Sequence, residues 1–322
     1  MKQVTKGSWS GYDTYILHSR DLEITLLPRL GNNVISMWDR KENRHILRSP
    51  EESELPFYMQ KPYHFGMPLL VPPGRIRGGR FQYDGISYAF DPNSAGHHIH
   101  GLNRTQAWCV SDIEEDDDGC AVTTEFHTAG DADWMRQYPV PLKFEMVFRL
   151  QDAHFSQTLR VTHEGERTVP FGIGYHTWFR LDGEPQRWSL TLPAEAVYEL
   201  NDELLPSGRL LPLENLSALP QGLNLQGTNL DTVLRVAPQE AASAATLLRD
   251  DGYGLRYTAD QPHFKHWVVY TKGEADQYVC TEPLTWLPNA PNVTADEDVT
   301  GLIPLQPGQT ITLSCSLQIL RP

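Results

Sequence analysis

The sequence predicts an all-β protein, a large antiparallel sandwich of two sheets forming a single domain over residues 1–322. Three observations carry this expectation. Apolar residues alternate or cluster in short runs of strand length. Asp-Gly pairs sit where such runs meet, a strong hairpin signal. Helical periodicity is nearly absent. Length alone leans towards two domains, but all-β chains are the usual exception, and no internal repeat or low-complexity linker divides this one. A single sandwich therefore explains more than two separate units.

In chain order, residues 12–18, 22–28 and 34–38 form an opening meander broken by Arg-Asp, Gly-Asn-Asn and Asp-Arg-Lys-Glu-Asn clusters. Hairpins follow at 80–90 around Asp84-Gly85, at 113–126 around Asp118-Gly119 and at 246–257 around Asp251-Gly252. Residues 142–150 and 155–162 alternate on either side of Gln151-Asp152-Ala153, as do 267–270 and 278–281 around Lys272-Gly273-Glu274. Only 240–249 and 50–55 are expected to hold a helical turn or two.

Near the middle, 169–181 reads as one strand. It places Phe171, Ile173, Tyr175, Phe179 and Leu181 on a core face and Gly172, Gly174, His176, Trp178 and Arg180 on the other. Two glycines remove bulk, so the second face is expected to form a shallow trough lined by an imidazole, an indole and a guanidinium. A lone histidine is more often a satisfied core residue. Here the glycines favour reading His176 as a site residue.

The bulk numbers narrow the partners. A net charge of −14 repels nucleic acid and acidic lipid surfaces, leaving a neutral small molecule as the expected ligand. The first residues lack a signal-like apolar stretch, and no run reaches membrane-spanning length, so a cytoplasmic protein, monomer or homodimer, is expected. Cys109, Cys120, Cys280 and Cys315 are scattered without a CxxC pair, which signals neither a zinc cluster nor a disulfide framework. No metal or cofactor is expected.

Four further stretches could carry chemistry. Residues 64–81 deliver Arg75, Arg77 and Arg80 among glycines, and a surface-loop role is preferred for Arg77 and Arg80. His98 and His100 form an H-x-H pair, but no carboxylate follows within reach, so metal ligation is the weaker reading. Asp231 opens an apolar stretch, where a turn or cap role is the commoner one. Glu282 sits in an apolar run directly before Pro283, where a carboxylate is costly without a partner or a task. A histidine and a glutamate in one cleft supply a proton donor and acceptor, with reference pKa values of about 6.5 and 4.3.

The ordered series Gly66-Met67-Pro68-Leu69, Gly74-Arg75-Ile76-Arg77-Gly78-Gly79-Arg80-Phe81, His98-Ile99-His100-Gly101, Tyr138-Pro139, Pro170-Phe171-Gly172-Ile173-Gly174-Tyr175-His176-Thr177-Trp178-Phe179, Leu230-Asp231 and Thr281-Glu282-Pro283 resembles the aldose 1-epimerases, or galactose mutarotases, over nearly the whole chain. The resemblance implies a β-supersandwich and a cofactor-free interconversion of the α and β anomers of a free hexose. It implies Glu282 as base, His176 as acid and His100 as an assistant near the ring oxygen. Arg75 and Asp231 would bind hydroxyls, with Trp178 beside the sugar. Gly74, where the family often has asparagine, and Thr177-Trp178, where proline and an aromatic are common, bear on substrate preference. Two alternatives share the fold: a hexose-6-phosphate 1-epimerase using Arg77, Arg80, Arg136 or Arg180 for the phosphate, and a non-catalytic sugar-binding or regulatory protein. A metal enzyme built on His98 and His100 ranks third.

Overall fold

A computed structural model describes residues 3–273 and 277–322. Two large antiparallel sheets dominate it. The first has nine strands, in the spatial order Cys109–Glu115, Cys120–His127, Leu142–Gln151, His154–His163, Thr310–Leu320, Gly254–Asp260, Ala242–Arg249, Trp188–Thr191 and Leu223–Asn224. The second has eight. Seven run Pro206–Leu211, Ala194–Leu200, Asp231–Val236, His266–Tyr270, Tyr278–Leu284, Gly174–Tyr175 and Leu69–Leu70, and Thr177–Arg180 also pairs with Tyr278–Leu284. A five-stranded N-terminal meander completes the frame and begins one strand earlier than the sequence suggested, at Gln3–Trp9.

Period-two alternation explains how the two large sheets meet. Phe144, Met146, Phe148, Leu313 and Leu317 from the first sheet share one buried cluster with Tyr175, Phe179, Leu234, Trp267 and Val279 from the second. The Tyr257 ring lies 5.8 Å from Phe179 and 5.9 Å from Trp267, both edge-on. The intervening residues of the eight-stranded sheet, among them Val233, Val268 and Leu284, therefore face away from this core and gather in a smaller apolar cluster. That outer face carries the site.

The expected hairpins around Asp84-Gly85, Asp118-Gly119 and Asp251-Gly252 are present as paired strands. His266–Tyr270 and Tyr278–Leu284 also pair, while Glu274 of their connection lies outside the described residues. Two expectations fail. Residues 242–249 are a strand, buried at alternate positions from Ser243 to Arg249 and hydrogen-bonded on both sides, so sheet partners override the helical preference of its alanines. Residues 169–181 are three short strands rather than one: Val169–Phe171 pairs with Ile303–Leu305, Gly174–Tyr175 with Leu69–Leu70, and Thr177–Arg180 with Tyr278–Leu284. Near 50–55 a helical turn does form, at Glu52–Glu54, and continues as the helix Leu55–Gln60. No described helix is long and apolar enough to cross a membrane.

Candidate active site

Strand register builds the site. Asp231 pairs with Tyr270, Tyr270 with Cys280, and Cys280 with Trp178, which sets these four side chains in one row across the outer face. In the next row Val233 pairs with Val268 and Val268 with Glu282. His176 follows the short strand Gly174–Tyr175, its backbone N–H bonded to the Pro68 carbonyl. A cavity of about 330 Å³ opens over these rows, lined also by Tyr63, His64, Arg75, His100 and Leu200.

At its floor, His176 Nε2 lies 3.3 Å from Glu282 Oε1, and its Nδ1 lies 2.9 Å from Cys280 Sγ. Both His176 and Glu282 are nearly enclosed, at 6% and 4% exposure. The His176 ring stacks on Trp178 with centroids 5.4 Å apart and meets His100 edge-on at 4.9 Å. Trp178 is fixed in turn by its Nε1 bond to the Tyr63 carbonyl and by the stacked His64 ring, with centroids 5.8 Å apart.

His100 reaches the cavity through an unusual backbone. Its φ is +63°, in the left-handed region that side chains other than glycine adopt only at a cost. Gly101 follows at φ +69°, and a Cβ there would stand 2.0 Å from the Val71 carbonyl oxygen, so only glycine fits. The turn separates the H-x-H pair. His98 packs beside Phe90 with its Nδ1 on the Asp91 carbonyl, away from the cavity that His100 lines.

Burial dominates the electrostatics. It pushes the His176 pKa down to about 3, with the nearby His64 adding to the effect, and it holds His100 well below the usual histidine range. The Glu282 carboxyl is raised well above the ordinary carboxylate range, first by burial and then by the charge of Asp231. Both shifts favour the neutral forms, imidazole and carboxylic acid, over the ion pair.

The structure brings His176, Glu282, His100, Arg75, Asp231 and Trp178 to one cavity. Arg180 is the exception on the central stretch, since its guanidinium turns to Asp182. The glycine trough is also corrected: a Cβ on Gly172 would meet Trp286 at 2.6 Å, and one on Gly174 would meet Leu284 at 2.3 Å. These glycines admit neighbouring side chains rather than a ligand. Arg77 pairs with Glu203 at the surface, Arg136 with Asp91 and Asp133, and Arg80 is exposed. Sequence reasoning missed Tyr63 and His64, which reach the cavity from the turn Pro62–His64, and Tyr270, at the end of the inner strand His266–Tyr270. It also missed Cys280, although its spacing of two from Glu282 on a strand signals a shared face.

Comparison with known proteins agrees with the architecture. The family model described as Aldose 1-epimerase matches residues 15–318. An uncharacterized protein of Escherichia coli K12, YphB, is 28% identical over 270 residues, covering 78% of this chain and 82% of that protein. The galactose mutarotase of Rattus norvegicus is 25% identical over 169 residues, half of this chain and 46% of its own. Among solved structures, a galactose mutarotase-like protein from Clostridium acetobutylicum superposes with a TM-score of 0.92 at 22% identity, covering 99% of this chain and 98% of the other. With a match over nearly its full length, strands in the same architecture and a carboxyl–imidazole pair at the floor of the cavity, the chain belongs to the aldose 1-epimerase family.

Proposed function

We propose that this protein interconverts the α and β anomers of a free aldohexose by general acid and base catalysis, without a cofactor. The observation that carries the reading is the 3.3 Å contact between His176 Nε2 and Glu282 Oε1 inside a cavity of monosaccharide size. In the resting pair the proton sits on Glu282. Passing it to the unprotonated nitrogen of the imidazole creates an imidazolium and a carboxylate, and sugar hydroxyls replacing water around the pair stabilise the charges.

The carboxylate then takes the proton of the anomeric hydroxyl while the imidazolium gives one to the ring oxygen. The C1–O5 bond breaks and O1 becomes the aldehyde oxygen. Rotation about C1–C2 and the reverse transfers close the ring on the other face, so protons balance over the cycle. His100 assists at the ring oxygen, Arg75 and Asp231 hold hydroxyls, and Trp178 supplies an apolar face to the sugar.

Charge placement favours a free sugar over a phosphorylated one. Arg77, Arg80, Arg136 and Arg180 do not line the cavity, Arg75 and Lys61 are its cations, and Asp231 opposes an anion. Four cysteines without a disulfide suit a cytoplasmic setting. Optical rotation of fresh α-glucose and α-galactose, followed with and without protein, tests the activity, and glucose 6-phosphate in the same assay tests the charge argument. No acceleration with any free aldose overturns the reading.

A further inference from the structure

We propose that Cys280 is a positioning residue for this reaction, its thiol serving as hydrogen-bond partner to His176 Nδ1 in both protonation states of the imidazole. The inference rests on the acid and base roles proposed above. It starts from a buried group those roles leave unused.

Cys280 and Glu282 are two residues apart on the strand Tyr278–Leu284 and so project from the same face. They engage opposite edges of one ring: Sγ stands 2.9 Å from Nδ1, and Oε1 stands 3.3 Å from Nε2. The thiol also lies within hydrogen-bonding reach of the Glu282 carboxyl. Cys280 is fully buried, held in register between Tyr270 and Trp178.

Two other readings of this trio fit less well. Ligand atoms of His176, Cys280 and Glu282 lie within 4.8 Å of one another, close enough to suggest a metal site. Yet the cysteine and the glutamate meet different nitrogens of the same imidazole, so one ion cannot join all three through the contacts observed. The order thiol, imidazole, carboxyl also resembles a cysteine nucleophile with its base. Burial raises the thiol pKa well above its usual range, with the Glu282 charge adding to the rise, and a thiol held protonated is a poor nucleophile.

What a protonated thiol can do is rotate. A neutral imidazole offers a lone pair at Nδ1, and S–H donates to it, which places the ring proton on Nε2, facing Glu282 and the cavity. The reverse arrangement would set an N–H donor against sulfur, a weak acceptor. Once His176 takes a second proton, Nδ1–H needs an acceptor. The S–H turns towards the Glu282 carboxylate and leaves a sulfur lone pair to Nδ1. One side chain thus serves both states without moving a heavy atom, and the imidazole keeps its aim while its charge changes. The other groups facing this ring, His100, Tyr63 and His64, meet it as ring neighbours or through their charge rather than at Nδ1.

Nitrogen-15 spectra of histidine-labelled protein, with His176 assigned from a His176→Asn variant, read the tautomer directly. The parent should show Nδ1 as an acceptor and Nε2 protonated. Cys280→Val, which fills the space without a polar group, should give mixed tautomers and a kcat about tenfold lower at unchanged KM. Cys280→Ser, which donates and accepts, should restore the tautomer and most of kcat. An Nδ1–H signal in the parent overturns the proposal, as does an equal kcat in the Ser and Val variants, or a lower kcat with the tautomer unchanged. If Val fails to fold, Cys280→Ala takes its place against Ser. A parent that accelerates no aldose would overturn the proposed activity, whereas the tautomer pattern tests the thiol's role on its own.

Discussion

His176 and Glu282 titrate as a pair, and the order in which they gain and lose protons is set by burial. The reactive arrangement holds one transferable proton between them. Falling pH adds a second to His176 with a pKa of about 3, and rising pH removes the shared one from a carboxyl held well above its usual range. The profile of kcat/KM against pH should therefore be a bell with its acid limb near pH 3 and its basic limb displaced upwards. Limbs at about 4.3 and 6.5, the values of unperturbed groups, would show that the pair is not buried as described. Glu282→Gln keeps the shape but accepts no proton, so turnover should fall by roughly 10²–10⁴-fold with the circular dichroism unchanged. Arg75→Ala and Asp231→Asn should act mainly on capture. A rise in KM larger than the fall in kcat is expected, and an unchanged KM for every active sugar would remove both from the binding role.

At the scale of elements, period two was the legible signal. It predicted the hairpins, the buried parity of Phe171, Ile173, Tyr175 and Phe179, and the shared outward face of His176 and Trp178. It did not predict the breaks within 169–181, because those depend on which strands arrive as partners. Glycine was the ambiguous letter. Missing bulk at 172 looked like room for a ligand, whereas the space belongs to the Trp286 indole, held by its Nε1 bond to the Pro73 carbonyl. Gly172→Ala should accordingly destabilise the protein by about 1–3 kcal/mol, as overpacking does. Gly101→Ala should be worse, since it adds a positive-φ penalty to a clash with rigid backbone. Denaturant midpoints for the two variants check this order, and a Gly101→Ala protein as stable as the parent would refute it.

Across the whole molecule, several buried imidazoles make stability depend on acid. His266, packed edge-on against Tyr198 on the outer face of the same sheet, has its pKa pushed down to about 3 by burial and then by Arg235. In the unfolded chain it titrates near 6.5, so its contribution is fully present above that pH and is lost as pH falls towards 3. Asp260, raised by burial to about 6, and Glu282 act in the opposite sense over an overlapping range. A comparison of parent with His266→Asn isolates the histidine: any stability lost on substitution at pH 7.5 should shrink steadily below about pH 6.5. A constant difference would mean that the imidazole is solvated. Tyr63, His64 and His100 could not be placed from local pattern, because a turn and a left-handed residue bring them to the cavity. By contrast, Asp231, Tyr270, Cys280, Glu282, His176 and Trp178 all stand on one parity of a single sheet. That shared parity makes the site far more sensitive to a change of reading position than to a change of letter. Deleting one residue from Tyr278–Leu284 and pulling the strand along would exchange Cys280 and Glu282 with Val279 and Thr281, sinking a carboxyl into the core and lifting a valine into the cavity. Fold and chemistry would fail in the same step, so insertions and deletions are tolerable in the loops of this protein and forbidden in its middle strands.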